Sequence, residues 1–175
     1  PPREEKVRIA EAWFAARAKG IMGSWSSFTA AQEQGALPAD WDPTRRNVVL
    51  YSSSEYEYAA LGEEWRNPLF EVPTEGVARI AEALSGASRV HLTIRMHPNA
   101  DAARSSSADR LRSIDLPGVT VIEPESKVCS YALMRAAEKI VVTSSTMGVE
   151  ATFWRKPSIQ AGRSMYSELG ATPRP

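Results

Sequence analysis

Cys129 is the only cysteine in the chain, so no disulfide can close within it, and a reducing compartment is the natural setting. The only histidines are His91 and His97, which with that one cysteine give no zinc-ligand spacing, and no metal is expected. Nothing approaches the ~18 consecutive apolar residues needed to span a bilayer. Charge of one sign is not in excess: Lys plus Arg and Asp plus Glu number 21 each, so no overall field draws nucleic acid or acidic lipid. Basic residues are not interleaved with aromatics as on a nucleic-acid surface. The G-x-x-x-x-G-K-[ST] phosphate loop, the G-x-G-x-x-G fingerprint and the G-x-S-x-G elbow are all missing. Pro1-Pro2-Arg3-Glu4-Glu5 is not followed by the apolar core of a signal peptide and reads as a start cut from a longer protein.

What remains is a chain of 175 residues and 43% hydrophobic content, enough for one good core. Residues 3–20 read as a helix with Val7, Ile9, Ala10, Trp13, Phe14 and Arg17 on one broad face. Residues 23–46 form a long polar connection, rich in Ser, Gly and Pro, anchored by Trp25, Phe28, Leu37 and Trp41, and are expected to act as a hinge or interdomain strap. A strand–helix rhythm follows. Strands are expected at 47–51, 91–95, 119–122, 139–143 and 158–160. Helices are expected at about 74–85 (Thr74 the N-cap, Gly86 the C-cap), 102–114, 130–137 and 147–155. Apolar strands alternating with helices imply a parallel sheet covered on both faces. The division expected is 1–46 helix and strap, 47–166 ligand-binding α/β domain, 167–175 tail.

In such a sheet the strand C-termini share one edge, where ligands bind. Two polar loops fall there. Arg95-Met96-His97-Pro98 closes the second strand, and Pro98 biases His97 toward extended backbone. A fixed imidazole there can hydrogen-bond a phosphate oxygen; a structural histidine is the alternative, and the favoured one for His91. Arg95 can pair with a phosphate or equally with a carboxylate of the fold. Ser144, Ser145 and Thr146 precede a helix, where unpaired N–H groups suit a phosphate, though plain N-capping explains them as well. Glu150, about one turn in, can accept two ribose hydroxyls, or merely complement the helix dipole. Ser53 and Ser54, in the Ser52-Ser53-Ser54-Glu55 turn after the first strand, can add a rim to the same crevice.

Taken together, Arg95-Met96-His97-Pro98, Val121-Ile122-Glu123-Pro124, the run from Ala136 through Ser144-Ser145-Thr146-Met147-Gly148-Val149-Glu150-Ala151, and Lys156-Pro157-Ser158-Ile159 resemble the C-terminal nucleotide-binding domain of bacterial capsule and surface-polysaccharide glycosyltransferases of the GT-B fold. The capsular Kdo transferases and polysialyltransferases are nearest in pattern, and the resemblance covers roughly residues 47–166. It implies a Rossmann-like parallel sheet with helices on both faces, one half of a GT-B architecture. It also implies a nucleotide-sugar donor, expected to be a CMP-sugar, with no further cofactor. His97, Ser144 and Ser145 would meet the donor phosphate, and Glu150 the ribose. The acceptor, a glycan or glycolipid, and the general base would belong to an N-terminal Rossmann-like domain that does not fit in this chain. The expected setting is the cytoplasm, with peripheral attachment to the inner membrane left open. A UDP-sugar epimerase-like enzyme, a CDP-glycerol polymerase-like enzyme and a non-catalytic nucleotide-binding module stand as alternatives.

Overall fold

The computed structural model describes residues 1–21, 29–53, 62, 65, 67, 69–98 and 106–173. In chain order these form α1 (Arg3–Ala18), β1 (Arg46–Tyr51), α2 (Pro73–Leu84), β2 (Val90–Arg95), α3 (Ser106–Arg112), β3 (Val119–Ile122), α4 (Ser130–Ala136), β4 (Lys139–Val142), α5 (Met147–Phe153) and β5 (Ser158–Gln160). The strands make one sheet in the order β3-β2-β1-β4-β5, and each neighbouring pair is parallel. Successive side chains of a strand point to opposite faces, so β1 feeds two cores. Val49 and Tyr51 join Tyr131, Leu133 and Met134 of α4 and Ala151 of α5. Leu50 joins Val77 and Ala81 of α2 and Ala108 and Leu111 of α3. This is the doubly covered α/β sheet expected from the sequence.

Most of the expected elements fall within a residue or two of their places. The exceptions have local causes. α2 begins at Pro73, a residue early, because proline suits the first helical position, where its missing N–H is not needed; Val72 is the N-cap and Thr74 lies inside. The helix stops at Ser85, and Gly86 follows at φ +74°, the left-handed residue that ends a helix cheaply. α5 stops at Phe153, with Arg155 at φ +57°. For the helix expected over 102–114, residues 106–112 are helical and 102–105 lie outside the described residues, as do Trp25 and Phe28.

The connection before β1 is stitched to the domain over its described part. Leu37 and Trp41 pack on the α4/α5 core. Cys129 N–H donates to the Ala36 carbonyl at 2.9 Å, and Ser130 N–H to Gln32 Oε1 at 2.7 Å. The broad apolar face of α1, by contrast, has no buried residue, and Val7, Ile9 and Trp13 are each about half exposed. α1 reaches the domain through its last turn instead: Phe14 stacks on Phe153 at 4.1 Å between ring centres, and Ala18 packs on the core.

His91 has the structural role favoured for it. It is buried at the start of β2, far along the strand from the C-terminal edge. Arg45 can only donate, so Nδ1 of His91 accepts from it at 3.3 Å. Nε2 then donates to Thr120 Oγ1 at 2.9 Å, and Thr120 donates to Asp40 at 2.6 Å. Burial, helped by Arg45 and opposed by Asp40 and Asp42, lowers the histidine's pKa. The folded state therefore binds fewer protons here than the unfolded chain. Its contribution to stability is full above the ordinary histidine value of ~6.5 and is lost as pH falls below it. Urea midpoints measured against pH should decline through that window, and His91→Gln should flatten the decline.

Candidate functional site

Strand order reverses between β1 and β4, and in open α/β sheets the ligand crevice lies outside the strand C-termini at that reversal. Two adjacent serines at the end of β1 hold the crevice loops in place. Ser52 Oγ accepts the N–H of His97 at 3.0 Å, tying β1 to the loop after β2. Ser53 Oγ accepts the N–H of Ser144 at 2.8 Å and bonds Thr143 Oγ1 at 2.9 Å, tying β1 to the loop after β4. Because β1 lies between β2 and β4 in the sheet, one Ser-Ser pair just past its end reaches both loops. Ser53, expected as a rim of the ligand site, thus acts as a clamp between loops; Ser54 and Glu55 lie outside the described residues.

Between these loops is a cavity of about 70 Å³, bordered by Arg17, His97, Tyr131, Ser145 and Thr146 among others. The cavity opens to solvent, and its enclosed part is large enough for a phosphate-sized group. The two sequence motifs therefore meet over one cavity. Ser145 also serves its own loop: its Oγ accepts from Met147 N–H at 3.3 Å, and its carbonyl accepts from Gly148 N–H at 3.1 Å and from the Tyr166 hydroxyl. Ser144 is buried at 9% exposure beside the cavity without bordering it; its N–H is the one held by Ser53. Gly148 sits where a Cβ would lie 2.8 Å from Val142 Cγ2 and press on the Tyr166 ring, so no larger residue fits without moving the loop.

Two expected site residues have other partners. Arg95 is 2% exposed and borders the same cavity, and among the described residues it has no carboxylate partner; its guanidinium donates to the carbonyls of Glu123, Pro124 (3.2 Å) and Ser126 (3.3 Å), fixing the β3–α4 loop. Its Nε is buried with no partner, and burial lowers its pKa against the pull of Tyr51 and Glu125. Glu150 does not present a carboxylate to the crevice as a ribose-binding residue must, because it is wholly buried. Its Oε1 accepts from Arg17 Nε at 3.0 Å and Nη2 at 2.8 Å and from Thr146 Oγ1 at 3.4 Å, while Oε2 accepts from the Tyr131 hydroxyl. Burial, reinforced by the adjacent carboxylate, pushes the Tyr131 phenol well up. For Arg17, burial lowers the pKa but the hydrogen bond and charge of Glu150 outweigh it, so the guanidinium is held more firmly protonated than usual.

Arg17, Tyr131 and Tyr166 are cavity or loop residues that sequence reading missed. Arg17 carried a signal: a cation four residues after Trp13 on an otherwise apolar stripe calls for a buried anion. Tyr131 and Tyr166 carried none. The tail from Tyr166 on, uninformative as sequence, is described to residue 173 and, with residues 161–165, folds back along β5; Gln160 Nε2 donates to Ser164 and Ser167 at 2.7 Å each, and Gln160 N–H to the Pro173 carbonyl at 2.8 Å.

Among the described residues no three His, Cys, Asp or Glu side chains converge as metal ligands, and no helix is long and apolar enough to cross a membrane.

No family model matches the chain, and no curated protein matches it. Solved structures do. A Thermosulfurimonas dismutans KpsC beta Kdo 2,4 transferase structure superposes with a TM-score of 0.66 at 20% identity, over 99% of this chain and 50% of its own. A KpsC beta Kdo 2,7 transferase structure from the same organism superposes with a TM-score of 0.54 at 15% identity, over 95% of this chain and 44% of its own. The chain thus spans about half the length of the solved structures it resembles. The resemblance read from the motifs and the superposition agree on the architecture: this chain is a Rossmann-like α/β domain with the fold of about half of a Kdo transferase chain.

Proposed function

We propose that the chain is the donor-binding half of a glycosyltransferase that uses a nucleotide-activated sugar, a CMP-sugar, to build a capsule or surface polysaccharide. The observation that carries the reading is the cavity shared by His97 and the Ser145-Thr146 turn at the sheet's reversal point. Its enclosed part admits a phosphate-sized group, which is what supports placing the donor phosphate there. In the reaction the anomeric carbon would be attacked by an acceptor hydroxyl as the bond to the nucleotide phosphate breaks. Negative charge grows on that phosphate, and donors already aimed at it lower the barrier without having to reorganise. His97 is the donor on one side, able also to pass a proton to the leaving phosphate; Ser144, Ser145 and Thr146 flank the other. Glu150, committed to Arg17 and Tyr131, supports the wall and is not assigned the ribose. The general base and the acceptor glycan or glycolipid belong with a second domain, in keeping with a chain that spans about half of its structural relatives. A cytoplasmic site of action goes with this reading.

Calorimetric titration with CMP and UMP tests it. The expected result is binding of CMP in preference to UMP, with His97→Ala weakening CMP about tenfold, the loss of a hydrogen bond to a charged group. Unchanged CMP affinity in that variant would remove His97 from the site, and a UMP preference would replace the CMP-sugar with a UDP-sugar.

A further inference from the structure

The buried carboxylate of Glu150 gathers donors from three separate parts of the chain, and all three border the cavity. Arg17 comes from the last turn of α1, Tyr131 from α4 and Thr146 from the turn after β4. Of these only Arg17 is a cation, and it alone comes from outside the strand–helix alternation, more than a hundred residues away in sequence. α1 contributes no buried residue of its own, and among the described residues its contacts to the domain run through Arg17, Phe14 and Ala18. The guanidinium is itself held from behind by the Trp13 ring, 4.7 Å from its centre. We infer that Arg17 is a positioning residue for the ligand cavity: by neutralising Glu150 it holds Thr146 and Tyr131 at the cavity wall, which makes α1 part of the site. The inference rests on the cavity being where the donor binds. Without the cation, Glu150 is an uncompensated buried carboxylate, and drawing in water or swinging out to relieve it drags Thr146 and Tyr131, which are bonded to it. A lysine would restore the charge but not the two-point grip.

The experiment compares the parent with Arg17→Ala, Arg17→Lys, Glu150→Gln and the double variant Arg17→Ala/Glu150→Gln, with Ile9→Ser on the exposed face of α1 as control. CMP affinity and amide hydrogen exchange of the 143–150 segment are read at a temperature where every protein is folded. Arg17→Ala should weaken CMP about tenfold and speed exchange in 143–150, Arg17→Lys should fall between it and the parent, and Ile9→Ser should match the parent. The double variant should be no worse than the worse single one, as groups acting through one contact do not add. Parent-like affinity and exchange in Arg17→Ala overturns the inference, as does strict additivity in the double variant. If the parent binds neither CMP nor UMP, the donor reading fails. The exchange data still decide on Arg17: unchanged protection of 143–150 in the folded Arg17→Ala and Arg17→Lys proteins overturns its positioning role, and faster exchange upholds it.

Discussion

Urea unfolding of an Arg17→Leu protein is expected to show about 3 kcal/mol less stability than the parent. Glu150 is 0% exposed and Arg17 supplies its only cation among the described contacts. Removing the arginine leaves a buried carboxylate with only the Tyr131 and Thr146 hydroxyls as donors among the described residues. The reverse change, Glu150→Leu, should cost less, about 1–2 kcal/mol, because the Arg17 side chain keeps 20% of its surface in solvent and can turn its charge outward. Making both changes should recover much of the loss of Arg17→Leu, since a buried ion pair replaced by packed hydrocarbon is often no less stable. The check is a double-mutant cycle built from urea midpoints at constant m-value. Equal costs for the two single variants would mean that the carboxylate is not isolated from solvent in the way its burial implies. Because a whole domain is stable by only ~5–15 kcal/mol, the pair links the N-terminal helix to the survival of the fold as well as to the cavity.

A comparable loss is expected from Leu50→Ala, about 2–5 kcal/mol by thermal or urea unfolding. Leu50 is fully buried in β1, which has β2 on one side and β4 on the other. It packs with Val77, Ala81, Leu92, Ile94 and Val141, on the face opposite Tyr51 and Tyr131. Helices and strands press on it from all sides, so a cavity left there collapses poorly, which is the condition for the upper part of that range. Val119→Ala in the edge strand β3 should cost distinctly less, because Val119 is only partly buried and borders the core. CMP affinity of the folded Leu50→Ala protein should stay close to that of the parent, since the side chain faces away from the cavity. A loss of affinity there would mean that the Ser52-Ser53 clamps yield when the strand beneath them loosens.

The strands were legible because parallel strands covered on both faces are rich in apolar and β-branched residues, as in the short runs Val48-Val49-Leu50-Tyr51 and Ile140-Val141-Val142. The meeting of the His97 loop with the Ser145 turn was legible for a related reason: parallel strands put all their C-terminal loops on one edge. The roles of single side chains were not. Ser53 and Glu150 have the residue types a ligand site uses, and both are engaged within the fold. Arg95 reads equally as a phosphate ligand or as a partner of a carboxylate in the fold, and the structure adds three carbonyl acceptors to its place at the cavity border.

By itself, the sequence determined the element types, the layered α/β class and the edge at which the polar loops gather, since hydrophobic periodicity and strand direction are local properties that each segment carries with it. Only the tertiary structure decided the strand order β3-β2-β1-β4-β5, the return of residues 161–173 along β5, and the delivery of Arg17 to Glu150. Those depend on where distant segments pack, and a buried charge takes whichever partner the packing brings within reach.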